Sequence, residues 1–223
     1  SLMASLKLLF ESMKQLAVQA DAIGKGDLSR EVVLLSEHDQ IGKAVNNMTR
    51  QLRAARTEDE RRNWVKDGYS QLSAACVGDL TMQQLADTAI AGLCRHLAAG
   101  RGVFYLYAAA TSTLDLLGSY MYTERAHVGD CFRLGEGAIG QVAREKKPII
   151  LTTVGSDAPP IVTGTTAAPP LYTYTYPLLR EGVLLGVVEL ASFEPFDAVK
   201  REFLSGAADL IALFLYGCEQ KER

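Results

Sequence analysis

The chain has 223 residues, of which 48% are apolar, so it can bury a core of one or two domains. A formal net charge of −3 leaves no basic field, which excludes nucleic acid as an expected partner. Four cysteines lie far apart, so neither a metal site nor a cofactor is predicted; they are Cys76, Cys94, Cys131 and Cys218. No run approaches the roughly 18 apolar residues of a membrane span, so we expect this fragment to be soluble.

The first predicted helix carries an uninterrupted heptad seam. Its apolar residues follow one another at alternating intervals of four and three: Leu2, Leu6, Leu9, Met13, Leu16, Ala20 and Ile23. The pattern stops at Gly24 and Gly26, because glycine takes up the positive φ of a helix C-terminus and is unfavourable within a helix. A helix that ends at these glycines is predicted.

A second seam with the same spacing begins after a polar connector. Its residues are Ile41, Val45, Met48, Leu52 and Ala55, and Ser36 or Asp39 can serve as N-cap. The connector is long enough when extended to return along the first helix, so the two helices can lie parallel. Leu28 and Val32 are its predicted anchors, because they are apolar in a polar segment.

Three short motifs in this region resemble a HAMP domain covering residues 2–56: Gly26–Ser29, Asp39–Gly42 and Asn46–Met48. The chain departs from the family pattern at Gln40, where the family usually has Glu. The resemblance implies that two chains form a parallel four-helix bundle that relays motion from an upstream transmembrane helix. The expected partner is therefore a second copy in a parallel homodimer, with a seam of Leu6, Leu9, Met13, Leu16, Ile23, Ile41, Val45, Met48 and Leu52.

The junction, residues 57–75, is predicted to continue the second helix, because neither Gly nor Pro interrupts its charged start. Continuing the heptad register places Asp59 and Arg62 at seam positions. An apolar stripe then resumes with a phase slip at Val65, Tyr69, Leu72 and Cys76. Two interpretations stay open: a weak joint with two registers close in energy, or a solvated helix.

The remaining residues, 76–223, predict an α+β fold with an antiparallel sheet. Thr81 and Gln84 form a capping box that opens a helix closed by Gly100. The other predicted elements are strands over 102–107, 114–122, 148–151, 171–179 and 183–192, a short helix over 137–145, and a last helix from Asp197.

This half resembles a GAF domain over residues 68–217, through the motifs Leu134–Ala143, Pro177–Leu178, Gly186–Leu190 and Phe193–Phe196. The resemblance implies an antiparallel sheet flanked by helices. The order HAMP then GAF is that of bacterial sensor histidine kinases, so the expected parent lies at the cytoplasmic side of the inner membrane and carries a downstream output domain. This fragment is expected to be non-catalytic, since it contains no phosphoacceptor or ATP-lid motif.

The glycines between Gly135 and Gly140 match a dinucleotide-binding pattern with Asp157. No strand precedes them directly and the following helix is too short for a crossover, so they are interpreted as a helix start. The three histidines lack ligand or triad spacing: His38, His96 and His127.

A row of tyrosines on one strand is the remaining candidate site: Tyr172, Tyr174 and Tyr176. They follow a long segment, 155–170, that resembles a lid. The rings either pack under a helix or line a small-molecule pocket.

The predicted domains are thus 1–56, 57–75 and 76–223. Together they indicate a cytoplasmic signal relay, in which motion passes from the HAMP bundle through the joint to the GAF domain. The alternative is a small-molecule receptor in which the HAMP part only dimerises.

Overall fold

The structure is a computed structural model that describes residues 2–34, 36–122, 130–152, 155, 158–162, 165 and 167–222. The chain divides into two compact units, Ser1–Trp64 and Val65–Arg223. Its helices are α1 Leu2–Gly24, α2 Gln40–Cys76, α3 Met82–Leu97, α4 Gly137–Glu145 and α5 Ala198–Glu222. Within the described part of the chain, no helix has both the length and the apolar character to cross a membrane.

In the first unit, α1 ends at the predicted glycines. Gly26 has a φ of +82°, and the N–H of Asp27 donates to the carbonyl oxygen of Ala22 at 2.9 Å. Of the two candidate N-caps of α2, Asp39 takes that role, because its Oδ1 accepts from the N–H of Gly42 at 2.8 Å. As predicted, α2 runs on through the charged junction and spans 37 residues.

The second unit is built on a six-stranded antiparallel sheet. Its strands are β1 Arg101–Ala108, β2 Thr113–Tyr120, β3 Cys131–Arg133, β4 Ile149–Thr152, β7 Tyr172–Arg180 and β8 Val183–Ser192, in the order β3-β2-β1-β8-β7-β4. A separate two-stranded ribbon pairs β5 Ile161–Val162 with β6 Ala167–Ala168. Helices α3 and α5 contact the sheet, and so does α4. The predicted α+β class, with an antiparallel sheet flanked by helices, is therefore confirmed.

Alternation along β1 shows which side chains reach each face. Gly102 approaches Ile90 and Cys94 of α3 so closely that an added Cβ would lie 2.5 Å from the sulfur of Cys94. Tyr105, on the other face, belongs to a buried cluster with Val142 of α4. The sheet thus lies between the α3–α5 layer and α4.

The capping box of α3 is present, with Thr81 and Gln84 each accepting a hydrogen bond from the backbone of the other. The predicted end of this helix at Gly100 is wrong. The helix closes at Ala98, which adopts a left-handed conformation with a φ of +54°. The lack of a side chain at Gly100 instead allows Ile161 to pack against the backbone there, because an added Cβ would lie 2.8 Å from Cδ1 of Ile161.

Three short strands were not predicted from the sequence: β3, β5 and β6. Each has two or three residues, too few for an alternating pattern to be visible. The predicted strand over 114–122 ends earlier, at Tyr120.

The glycines of the motif around α4 allow two backbone segments to pack closely against each other. The N–H of Gly135 donates to the carbonyl oxygen of Gly140 at 2.7 Å, and a Cβ on Gly140 would overlap the carbonyl oxygen of Arg133. This geometry accounts for the pattern as a helix start. Asp157, the partner residue of the dinucleotide pattern, lies outside the described residues.

The apolar stripe at the end of α2 packs within the second unit. The ring of Tyr69 stacks on that of Phe203 in α5, with centroids 5.2 Å apart, while Leu72 and Cys76 are buried. The phase slip therefore marks the point where the helix begins to pack on its own domain.

Candidate functional site

The predicted seam of the first unit is solvent-accessible in the single chain. Its large apolar side chains have exposed fractions from 41% at Leu52 to 64% at Ile41. That group comprises Leu6, Leu9, Met13, Ile41, Met48 and Leu52, whereas Leu16, Ile23 and Val45 are half-buried. The seam is thus an apolar surface that the contacts of one chain leave uncovered.

Polar side chains, in contrast, hold the connector to the helices. The Asn46 amide forms two bonds with the backbone of Val32: Oδ1 accepts from its N–H at 2.8 Å, and Nδ2 donates to its carbonyl oxygen at 2.9 Å. Gln19 Nε2 donates to the carbonyl oxygen of Arg30 at 2.9 Å. The predicted anchor Val32 is therefore held through its backbone, and Asn46 is the residue that the apolar pattern could not reveal.

Burial in the first unit follows the same division. Among its described side chains, none of the apolar ones is buried. The buried residues are Gln19, Gly42, Asn46 and Thr49. The described side chains of this unit therefore do not form the buried apolar core from which most helical stability derives.

At the junction, Asp59 and Arg62 are both exposed. Asp59 borders a groove with Ile23 and Leu52, which is the seam side expected from the register. Arg62 pairs with Glu58 at 3.0 Å. Arg61 also pairs with Glu58, and its hydrogen bond is the main reason why the pKa of that carboxyl falls to about 2.

In the second unit, the α4 face of the sheet carries a polar cluster. Glu189 of β8 lies opposite Val103 of β1 and Thr175 of β7, and the hydroxyl of Thr175 donates to Glu189 Oε2 at 2.9 Å. Burial away from water raises the pKa of the Glu189 carboxyl. Glu189 itself is half-buried on this central strand.

The neighbouring row across the sheet extends this cluster. Arg101 of β1 and Thr173 of β7 both lie opposite Ala191 of β8, and both side chains are buried. The hydroxyl of Thr173 has no hydrogen-bond partner among the described residues. A buried polar group without a partner is unfavourable, so this hydroxyl is a candidate ligand contact.

Part of the predicted lid covers this row. Arg101 Nη1 donates to the carbonyl oxygen of Pro159, and the buried side chain of Ile161 packs against Gly100. The described stretch 158–162 is therefore tied to the start of β1, beside the polar cluster.

The tyrosine row lies on the opposite face, towards α5. The rings of Tyr174 and Tyr176 pack edge to face with centroids 5.7 Å apart, and Tyr174 also packs on Phe196. The hydroxyl of Tyr176 donates to Ser205 of α5 at 2.9 Å. This geometry corresponds to the packing interpretation, while ligand binding by Tyr172, Tyr174 and Tyr176 stays a prediction.

Histidines and cysteines are dispersed in the fold. His96 packs on the ring of Phe203 with centroids 4.4 Å apart, His38 is exposed, and His127 lies outside the described residues. Among the residues that the structure describes, no three His, Cys, Asp or Glu side chains are grouped to hold a metal ion.

Comparison with known families identifies the second unit. The family model described as GAF domain matches residues 79–215, more than half of the chain. The chain therefore belongs to the GAF domain family, a family of signal-sensing domains. No curated protein matches the chain.

Solved structures with the same fold support this assignment at low sequence identity. A putative GAF sensor protein from Burkholderia vietnamiensis is 15% identical with a TM-score of 0.58, over 72% of this chain and 94% of that one. The GAF domain of a phosphoenolpyruvate-protein phosphotransferase from Acinetobacter is 12% identical with a TM-score of 0.57, over 73% and 97%. Free methionine-R-sulfoxide reductase from Neisseria meningitidis, in complex with its substrate, is 18% identical with a TM-score of 0.55, over 70% and 91%.

Proposed function

We propose that this chain is the cytoplasmic relay region of a membrane sensor, in which a HAMP-like dimeric bundle passes conformational change through α2 to the GAF domain. A downstream output domain, a histidine kinase in the expected parent, receives the signal. The GAF assignment covers the second unit. The heptads and the HAMP-like motifs support the role that we propose for the first unit.

One observation carries the proposal: the first unit buries polar side chains and exposes its apolar seam. Leaving a leucine-sized side chain in water forgoes about 1.5–3 kcal/mol. A second copy, placed parallel with its own seam against this one, would cover these side chains and supply the missing apolar core.

The course of α2 suggests how a signal travels. The helix is continuous from the seam residues Ile41 and Leu52 to Leu72 and Cys76, which are buried in the second unit. Because a hydrogen-bonded helix is stiff along its axis, a rotation at the seam would reach the packing of Leu72. Asp59 and Arg62 mark the stretch where two registers would be close in energy.

The oligomeric state tests this proposal. We expect the chain to sediment as a dimer at micromolar concentration and Leu16→Asp to split the dimer, because a charge in an apolar seam is strongly unfavourable. Gln15→Asp is the matched control: it adds the same charge at an exposed neighbouring position and should leave the dimer intact. A folded monomer of the unchanged chain would refute the relay.

The proposal includes the absence of catalysis in this region. Purified chain supplied with radiolabelled ATP should show no label on His38, His96 or His127. Label on any of these residues would contradict a relay role and would indicate a kinase.

A receptor function is the second candidate, favoured by the polar cluster of Arg101, Thr173 and Glu189. A GAF domain that holds a small molecule there would sense it directly, and the helical unit would only dimerise. Native mass spectrometry of the purified chain distinguishes the two candidates, because a retained small molecule supports the receptor and a bare dimer supports the relay.

A further inference from the structure

The cluster on the α4 face contains opposite charges in adjacent rows. Arg101 lies in the row of Ala191, and Glu189 lies two residues away along β8, in the row of Val103. Diagonal neighbours on one face of an antiparallel pair, such as Arg101 and Glu189, are about 7–8 Å apart along the backbone. The sheet therefore presents a cation and an anion at a separation that a small molecule can bridge.

The hydroxyl groups around these charges are used unequally. Thr175 donates to Glu189, whereas Thr173, in the row of Arg101, has no hydrogen-bond partner among the described residues. Thr173 is only 5% exposed. A ligand atom that bonds with this hydroxyl would remove the cost of burying it unpaired, so the open position lies at the cationic end of the cluster.

Charge balance restricts what can bind. The strands β1, β7 and β8 place one cation and one anion on this face, Arg101 and Glu189. A ligand with a net charge would leave one charge uncompensated in a poorly solvated site, which is unfavourable. The site thus favours a molecule of zero net charge with a negative end and a positive end.

We propose that this face binds a small zwitterion of the α-amino-acid type, with its carboxylate at Arg101 and Thr173 and its ammonium group at Glu189. The inference rests on the receptor function proposed above and names the ligand class of that site. The described stretch 158–162, held by Arg101 through the carbonyl oxygen of Pro159, lies beside the carboxylate end. Binding at Arg101 would therefore be coupled to the position of this stretch.

The test uses the full chain and the common free L-amino acids as individual probes in calorimetric titrations. We expect at least one of them to bind. Its N-acetyl derivative, which lacks the ammonium group, and its carboxamide, which lacks the carboxylate, should each bind at least about tenfold more weakly, because each leaves a buried charge unpaired.

Two substitutions at one position complete the test. Thr173→Val keeps the shape and removes the hydroxyl, so it should weaken binding by about tenfold. Thr173→Ser keeps the hydroxyl and should bind within a few-fold of the unchanged chain. Removal of an unpaired buried hydroxyl should not destabilise the ligand-free fold, so Thr173→Val should melt no lower than the unchanged chain without ligand. Weaker binding by a variant of undiminished thermal stability separates loss of the contact from loss of the fold.

Several results would overturn the inference. Binding of the N-acetyl derivative as tight as that of the free amino acid would exclude the ammonium contact, and equal binding by Thr173→Val would exclude the hydroxyl. If no amino acid binds while native mass spectrometry finds another retained molecule, the zwitterion class fails and the receptor function stands. If neither is found, both fail, and sedimentation still decides the relay separately.

Discussion

The two units of this chain use apolar side chains in opposite ways. In the second unit, Leu85, Ile90 and Leu204 are fully buried by the contacts of a single chain. In the first, Leu9 and Met13 remain mostly exposed, and the contacts within the chain are made by amides and backbone groups. Similar apolar periodicity therefore marks a core inside one chain in one case and a surface suited to a second chain in the other.

Helix α2 contains both uses in one element. Ile41 and Met48 are exposed near its start, whereas Leu72 and Cys76 are buried near its end. Between these two stretches, around Arg62 and Val65, the apolar stripe changes its heptad register by one residue at one of its two seam positions. A phase slip in a long helix can thus indicate a change of packing partner.

The largest expected effect is a truncation in the second unit. Phe203→Ala removes a ring that packs on Tyr69 and His96, so the free energy of unfolding should fall by about 3–5 kcal/mol. Because the contacts lie within one chain, the loss should not depend on protein concentration. Chemical denaturation at two protein concentrations measures it, and a concentration-dependent loss would contradict the comparison.

Leu52→Ala makes the same kind of change in the exposed seam. In a dimer it should cost about 1.5–3 kcal/mol per side chain, and the melting temperature should depend on concentration because association is linked to folding. Calorimetry over a range of concentrations is the measurement. An effect of zero at every concentration would show that the seam stays in water.

Asn46→Ala removes both bonds to the backbone of Val32 and leaves those groups unpaired, at a cost of about 1–3 kcal/mol. The effect should appear as faster amide exchange at Val32. Asn47→Ala is the control, because Asn47 is exposed and bonds only to Arg50 in the described structure. Equal exchange at Val32 in the two variants would show that the Asn46 amide does not hold the connector.

The joint provides a smaller effect with a functional consequence. Replacing both Asp59 and Arg62 with Leu should raise the melting temperature, because even a paired charge at a seam position roughly breaks even against apolar packing. In the intact receptor the same change should hold output in one state, since a two-state element stops responding once one register is favoured by several kcal/mol. Output and thermal unfolding are measured side by side. If the variant is no more stable, or responds normally, the junction is a solvated helix.

Helices and long strands could be read from the sequence because their periodicity extends over many residues. α2 continues through Glu58 and Arg61 as predicted, and the hairpin of β7 and β8 is present near its expected bounds. The end of α3 was missed because Ala98, a residue without preference for positive φ, takes the left-handed conformation that glycine usually supplies.

The candidate site was harder to predict, because its members come from three strands that only the fold brings together. The aromatic alternation of β7 indicated Tyr174 as a candidate. The alternate residues Thr173 and Thr175 lie on the other face of the sheet, where Thr175 bonds to Glu189. Threonine in a strand has no distinctive pattern, since it also fits the strand by β-propensity alone. One signal of the site was available in the sequence: Glu189 is a charged residue between apolar neighbours. The alternation of the strand assigns its position to a covered face of the sheet.

The smallest expected effect is a pH dependence at Glu189. Burial raises the pKa of its carboxyl above the ordinary value of 4.5, so the folded chain keeps this proton to a higher pH than the unfolded chain does. Between the two pKa values the folded state binds more protons, and stability therefore falls as pH rises through this window. Glu189→Gln removes the titration, so its unfolding free energy relative to the unchanged chain should increase from pH 4.5 upward and then level off.

A second substitution tests the cause. The Thr175 hydroxyl donates to Glu189 and lowers its pKa, so Thr175→Val should raise that pKa further and widen the window over which stability falls. Denaturation curves of the three chains across this pH range provide the comparison. If the Gln variant follows the unchanged chain at every pH, the carboxyl is as well solvated in the folded state as in the unfolded one. The α4 face would then lack the poorly solvated site on which the zwitterion inference depends.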